Sequence, residues 1–387
     1  MADKSRLLIV SGSFPDIPCG MSGHVKLIAE RIVESGGYEV SVLTSADPLV
    51  NPDIASGYKV FPSIENWDLW FAYRICRQII SHHPDIVHIQ NPTIKYTGWR
   101  SGIMSVVAPM LKKIQPSIRL VVTQHDLAIG EPTFRWRYYP LFCAADAIIV
   151  SNSRDYQAVI AQGIELQKVY RAPVSAHFQM RDRTDKIKLV TRKKFQIPPQ
   201  VVVVAYFGFV HPGRRIDVLL RALAILKSRI EIHGIIIGAA ATGSEAYYLQ
   251  CQQLADQLGL TDQITWTGYV DTEQVADGLA AADVFVSLLE RGADLRNTSV
   301  ISAILAQLPV VTTLNERYYR DKELDKVCCR YVPPDNPETV ATAIENSLRN
   351  PPSPELRAKW AQQLEPNRIW KRHVDINLQA YRGEAVS

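Results

Sequence analysis

Residues 6–45 read RLLIVSGSFPDIPCGMSGHVKLIAERIVESGGYEVSVLTS, and their grammar decides the fold. RLLIVSG is a short apolar strand that runs into a loop of Gly, Ser and Pro. HVKLIAERIVESGG, from His24 to Gly37, sets Val25, Ile28, Ala29 and Ile32 on one helical face and stops at a glycine pair. YEVSVLTS is the next strand. Strand, glycine loop, helix and strand in this order form the βα unit of an open parallel sheet. The alternation continues through AYRICRQIISHHPD (helix), IVHIQ (strand), SGIMSVVAPMLKKI (helix) and IRLVVTQHD (strand). FRWRYYPLFCAADAIIVSN then predicts a helix leading into a strand at Ala147 to Val150.

Between Pro173 and Pro199 the rhythm stops. PVSAHFQMRDRTDKIKLVTRKKFQIPP is charged, carries prolines at both ends and has no sustained periodicity, as an interdomain connection would. The βα pattern then restarts at VVVVAYFG, followed by DVLLRALAILKSR with Val218, Leu219, Ala222 and Ile225 near one side. IHGIIIG, EAYYLQCQQLADQLG, ITWTGYV, EQVADGLAAA, DVFVSLL, TSVISAILAQ and LPVVTT complete the series as alternating strands and helices. Two runs of one grammar predict two Rossmann-like domains, each with its ligand loops at the carboxyl ends of its strands. The expected boundaries are 1–175 for the first domain, 176–199 for the linker, 200–365 for the second domain and 366–387 for a final helix. A length of 387 residues agrees with two domains.

Composition narrows the partners. Lys plus Arg total 43 against 39 Asp plus Glu, and a net charge of +4 over this length is no footprint for a polyanion. Nucleic acid is therefore not expected. The six cysteines, Cys19, Cys76, Cys143, Cys251, Cys328 and Cys329, form no CxxC pair and read as reduced thiols. The opening residues do not resemble a signal peptide, and the longest apolar stretches, from Val201 and from Ile235, are too short to span a bilayer. A cytoplasmic location is expected, with peripheral membrane contact left open.

Four loops carry candidate chemistry. Cys19-Gly20-Met21-Ser22-Gly23-His24 lets backbone N–H groups approach an anion at a helix start, or serves as a tight turn. It is not GxGxxG, which argues against a dinucleotide. His125-Asp126 follows a strand and is placed to meet a reacting oxygen or sugar hydroxyl; the alternative is a helix-start Asp beside a surface His. Gly208-Phe209-Val210-His211-Pro212-Gly213-Arg214-Arg215 puts two arginines where the helix dipole opposes them unless an anion is bound. Glu290 to Ser299 offers Asn297, Thr298 and Ser299 as a cap with N–H donors, beside Arg291 and Arg296; the alternative is an ordinary capped helix. Trp67, Trp70 and Phe71 with Arg74 and Arg77 read either as an acceptor or membrane-facing patch or as core packing.

In this order the segments resemble the GT-B retaining glycosyltransferases of the family 4-like group, the glycosyl transferases group 1, over nearly the whole chain. FPDIPCGMSGHVKLIAERIVESGGYEVSVLTS is similar to the family's opening, where a Gly-Gly pair approaches the donor diphosphate; Cys19 and Gly20 stand there. DIVHIQNP and VVTQHD are similarly placed, and His125 falls on the active-site histidine. GFVHPGRRIDVLLRAL resembles the segment whose Arg and Lys contact the diphosphate; the positions are Phe209 and Arg214. The family's two glutamates before Gly-Leu-Pro-Val correspond to Asp294 and Ser302 in DLRNTSVISAILAQLPVVTT. NRIWKRHVDINLQAYRG resembles the final helix that crosses back to the first domain.

The resemblance implies a GT-B α/β fold with two Rossmann-like domains facing each other across a cleft. It implies a nucleoside diphosphate sugar as donor and a glycan, lipid-linked or small-molecule acceptor, with no cofactor and no metal. His125, Arg214 and Asp294 take the catalytic positions. Gly20, Gly208, Arg214, Arg291, Arg296, Asn297, Thr298 and Ser299 take the donor-binding ones. Acceptor choice falls to Glu65–Phe71, Asn91–Ser101 and Ile129–Tyr139. Two readings stand beside transfer: a non-catalytic nucleotide-sugar-binding protein, and an epimerase or phosphorylase of the same architecture.

Overall fold

The computed structural model describes residues 4–15, 17, 19–54, 56–93, 95–96, 98–127, 134–314, 324 and 329–385. Cys328 and residues 129–133 of the third acceptor loop lie outside the described residues. The chain divides into two compact units, Met1–Pro173 with Trp370–Ser387, and Val174–Ile369.

In the first unit β1 (Ser5–Val10), β2 (Tyr38–Ser45), β3 (Lys59–Ile64), β4 (Ile86–Asn91), β5 (Arg119–Gln124), β6 (Ala147–Val150) and β7 (Val169–Arg171) form one parallel sheet. Their order is β3-β2-β1-β4-β5-β6-β7. The helices α1 (Gly20–Glu34), α2 (Ala72–Ser81), α3 (Met104–Ile114), α4 (Phe134–Ala144) and α5 (Ser153–Ile160) alternate with the strands. On one face Leu8, Val10, Val87, Ile89 and Val122 pack with Ile75 and Ile79 of α2 and with Val107 and Leu111 of α3. Helix α1 buries Val25, Ile28, Ala29 and Ile32 completely, so the stripe read from the sequence is its core face. Its start differs from expectation. The helix begins at Gly20 rather than His24, because the Cys19 thiol accepts the Ser22 backbone N–H at 3.3 Å and caps the first turn.

The second unit opens with α6 (Asp185–Lys194). It continues with β8 (Val202–Phe207), α7 (Ile216–Lys227), β9 (Ile232–Ile237), α8 (Glu245–Gln257), β10 (Ile264–Gly268), α9 (Thr272–Ala281) and β11 (Val284–Ser287). Then follow α10 (Thr298–Leu305), β12 (Val310–Thr313), β13 (Cys329–Val332), α11 (Pro337–Arg349), α12 (Pro354–Gln363) and α13 (Pro366–Arg382). The strands form a parallel sheet in the order β10-β9-β8-β11-β12-β13. Val204, Tyr206, Ile236, Val284 and Val286 pack there against Leu219, Leu220 and Leu223 of α7. From Trp370 onward, α13 groups with the first unit.

The stretch 176–199, read as a connection, contains α6 and groups with the second unit. Thr184 caps this helix by accepting the Ile187 N–H at 3.2 Å. Ion pairs rather than an apolar stripe hold it, which is why no periodicity marks it. Arg192 is buried and reaches Asp283 at 2.6 Å and the Ala281 carbonyl at 3.0 Å, while Lys194 reaches Asp277 at 2.5 Å.

Helix α10 ends in a Schellman turn, with Leu308 N–H on the Ala303 carbonyl at 3.0 Å and Gln307 N–H on that of Ile304 at 2.9 Å. The left-handed position belongs to Gln307, at φ 55°. A side chain there costs free energy that glycine does not. Gln307→Gly is therefore expected to stabilise the protein by about 1 kcal/mol, seen as a raised urea midpoint; an unchanged or lowered midpoint would refute this.

Candidate functional site

Ligands of open α/β sheets gather where the strand order reverses. In the second sheet that point lies between β8 and β11. The loop after β8 is zipped to the loop after β9: Gly208 N–H meets the Ile237 carbonyl at 3.0 Å and Val210 N–H that of Ala239 at 2.9 Å. Tyr206 donates its hydroxyl to the Phe209 carbonyl at 2.9 Å. Glu290 N–H then bonds the Gly213 carbonyl at 3.1 Å, which joins the β8 loop to the β11 loop. These contacts place Gly208, Arg214 and the Glu290–Ser299 segment on adjoining loops.

The arginines sort themselves. Arg215, left-handed at φ 48°, is spent on ion pairs with Asp335 and with Asp217. Arg296 donates from Nε to Asp294 at 3.0 Å and from its backbone N–H to the same carboxylate at 2.9 Å. Arg291 is exposed. Arg214 differs from all three: its Nη1 is buried and makes no hydrogen bond. A buried guanidinium nitrogen without an acceptor is costly unless an anion meets it. His211 beside it is pushed down to about 4 by burial and by the Arg214 charge, so it is neutral near pH 7.

The expected cap of α10 does not form. Asn297 occupies the N-cap position, yet its side-chain oxygen accepts the Asp294 N–H at 2.7 Å instead of bonding the first turn. The turn Asp294–Asn297 captures it because that backbone donor is nearer. The first-turn N–H groups of α10, from Thr298 and Ser299, thus stay uncapped by that side chain, and the buried Ser299 hydroxyl has no hydrogen bond. Ser302 turns inward and donates to the Thr298 carbonyl at 2.8 Å.

In the first sheet the order reverses between β1 and β4. Gly20 sits exposed at the start of α1, and a Cβ placed there would meet nothing within 4 Å. His125 follows β5. Its backbone N–H bonds the Asn91 carbonyl at 2.7 Å and its Nε2 lies 2.8 Å from Gln90 Oε1. Trp67 is buried and donates its indole N–H to Ser45 at 2.8 Å, so it is a core residue. Trp70 is 94% exposed and is the aromatic of that stripe that faces solvent. Among the described residues, five cysteines are free thiols.

The family model for glycosyl transferases group 1 matches residues 188–365, and that for glycosyltransferase family 4 matches residues 18–173. The chain belongs to the family 4-like GT-B glycosyltransferases. A D-inositol 3-phosphate glycosyltransferase of Streptomyces coelicolor is 26% identical over 275 residues, 62% of this chain and 59% of that protein's length. The corresponding Mycolicibacterium smegmatis protein is 25% identical over 342 residues, 75% of this chain and 72% of that one. Among solved structures, a glycosyltransferase from Rickettsia africae shares the fold at TM-score 0.72 and 15% identity over 98% of both chains. Anabaena HepE, in complex with UDP and glucose, does so at TM-score 0.69 and 17% identity, again over 98% of both.

Within this glycosyltransferase, the sequence reading overlooked His88 and Gln90. Both are buried in β4, a strand with all six residues inside, and both point to one face by the period of two. A signal existed: IVHIQ alternates polar residues within a strand that a parallel sheet covers on both sides. Burial pushes His88 down to about 3. A histidine whose folded value lies below its ordinary 6.5 binds its proton first in the unfolded chain. Its stabilising contribution is complete above that value and is lost as pH falls toward the folded one. The glycosyltransferase should therefore show a urea midpoint that declines from about pH 6.5 to about pH 4.5, and His88→Asn should make the decline shallower. The shifted carboxylates Asp47, Asp85 and Asp277 lie below 3.8, and Glu355 and Glu384 below 4.5, outside that window. A flat midpoint across it would contradict the assignment.

Proposed function

We propose that this glycosyltransferase moves a sugar from a nucleoside diphosphate sugar to a hydroxyl acceptor with retention of anomeric configuration. The observation that carries the reading is the buried Arg214 nitrogen without a hydrogen bond, on a loop bonded at Gly213 to Glu290, which opens the segment leading to the uncapped start of α10. As the bond between sugar and diphosphate breaks, negative charge grows on the leaving phosphate. Arg214 and the N–H groups of Thr298 and Ser299 stabilise that charge by preorganised hydrogen bonding and by the helix dipole. In the proposal these groups do the work that a metal does elsewhere. Front-face attack lets the leaving phosphate oxygen take the acceptor proton, so no protein nucleophile is needed. Asp294 orders the loop by holding Arg296, whose charge it neutralises. His125 takes the sugar-side role in the first unit.

The test is a panel of nucleotide sugars with the purified chain, read for nucleoside diphosphate release with chelator present and for product configuration by NMR. D-inositol 3-phosphate, the compound in the relatives' names, heads the acceptor panel, with lipid-linked and glycan acceptors beside it. Retained configuration supports the proposal. Binding without turnover selects the non-catalytic reading, and donor loss without acceptor, or with orthophosphate, selects an epimerase or phosphorylase. No response to any donor overturns all three.

A further inference from the structure

We propose that α13 positions His125 through two side-chain routes, and that Gln90 determines which ring nitrogen of His125 carries the proton. The proposal rests on His125 as the sugar-side residue, but the first arm of its test does not need turnover.

The first route is a buried hydrogen-bonded line. His125 Nε2 lies 2.8 Å from Gln90 Oε1, Gln90 Nε2 lies 3.1 Å from His88 Nε2, and His88 Nδ1 lies 2.7 Å from the Tyr381 hydroxyl. Thr123 Oγ1 sits 2.7 Å from His88 Nε2. His88 and Gln90 are fully buried and Tyr381 is 3% exposed. The direction of the line follows from donors and acceptors. Gln90 Oε1 can only accept, so the proton of neutral His125 is on Nε2 and the lone pair is on Nδ1. Gln90 Nε2 can only donate, so His88 accepts at Nε2 and donates from Nδ1 to Tyr381. Burial keeps His88 uncharged, with one N–H to give, and also holds the Tyr381 phenol protonated.

The second route is a stack of rings. The His24 ring meets that of His125 edge-on at 4.9 Å, and packs on Trp370 at 5.5 Å and His373 at 5.1 Å. His373 is itself fixed, with Nδ1 2.9 Å from the Pro173 carbonyl. Trp370, His373 and Tyr381 all belong to α13. The terminal helix therefore meets the His125 support at both of its ends. The backbone of His125 is held separately by Asn91, so Gln90 governs the ring rather than the chain path. Gln90 is on this account a positioning residue.

The experiment is NMR of the full chain with nitrogen-15 histidine, together with kcat and KM for the donor. Wild-type His125 should show the Nε2–H tautomer. Gln90→Leu should release it to a mixture with Nδ1–H and lower kcat about tenfold with donor KM little changed. Gln90→Glu, which keeps an acceptor oxygen, should preserve Nε2–H. Tyr381→Phe should shift the His88 resonances, and its kcat loss should not add to that of Gln90→Leu, since both break one line. An Nδ1–H tautomer in the wild-type protein, or an unchanged tautomer in Gln90→Leu, overturns the proposal. Fully additive losses overturn the line to Tyr381. Should Gln90→Leu fail to fold, the wild-type, Gln90→Glu and Tyr381→Phe spectra still decide. Absence of sugar transfer would refute the functional reading, while the tautomer would still report on Gln90.

Discussion

Arg214→Ala is expected to lower kcat/KM for a nucleotide sugar by about 100- to 1000-fold, the range found when one preorganised donor to a developing anion is removed. The expectation follows from what each neighbouring cation already does. Arg215 is paired with Asp335 and Asp217, and Arg296 is held by Asp294. Arg214 alone among these presents a buried guanidinium nitrogen that makes no hydrogen bond. Arg214→Lys should recover only part of the loss, because an ammonium supplies charge without the planar fork that grips two phosphate oxygens. Arg215→Ala is the matched control and should leave donor kinetics near wild type, whatever it does to stability. Steady-state release of nucleoside diphosphate measures all three. Equal effects at Arg214 and Arg215 would remove the distinction on which the site rests.

The second large effect is expected at Gly238, which acts on the same loop through the backbone. It stands at φ 141°, and a Cβ there would lie 2.2 Å from the Gly208 carbonyl oxygen. The clash is with backbone, which cannot swing aside as a side-chain tip does. Gly208 itself is anchored on Ile237 at 3.0 Å, so the β8 loop has no slack at this point. Gly238→Ala should therefore cost about 3 kcal/mol or more, combining strain at a left-handed position with overpacking. Urea unfolding would show it, together with weaker donor binding as the Arg214 loop is displaced. Gly20→Ala provides the contrast. Its Cβ meets open space, and its stability change should stay within about 0.5 kcal/mol. Similar losses at the two glycines would contradict the packing argument.

How much the sequence showed depends on the kind of force involved. Strands such as Val202–Phe207 and helices such as Ile216–Lys227 declare themselves by apolar runs and periodicity, because hydrophobic burial forms them. The edge strands β3, β7 and β13 escaped notice. KVFPSI carries a proline that only an edge tolerates, VYR has three residues, and CRYV has a single fully buried position. Helix α6 escaped for a different reason, since Asp277 and Asp283 hold its basic residues where an apolar stripe would ordinarily be. At the site, the loops were legible from their position after strands, but the division of labour was not. Nothing local in Arg214-Arg215 says which arginine Asp335 will claim, as that partner is far away in the chain. Nor does Asn297 disclose that it will serve Asp294 and leave the helix start uncapped.

In the proposed reaction the loops after β8 and β11 seat a diphosphate. A crystal structure of the chain soaked with a nucleoside diphosphate tests it most directly. Phosphate oxygens are expected within hydrogen-bond distance of Arg214 Nη1 and of the Ser299 backbone N–H. A diphosphate bound elsewhere, with Arg214 untouched, would contradict it.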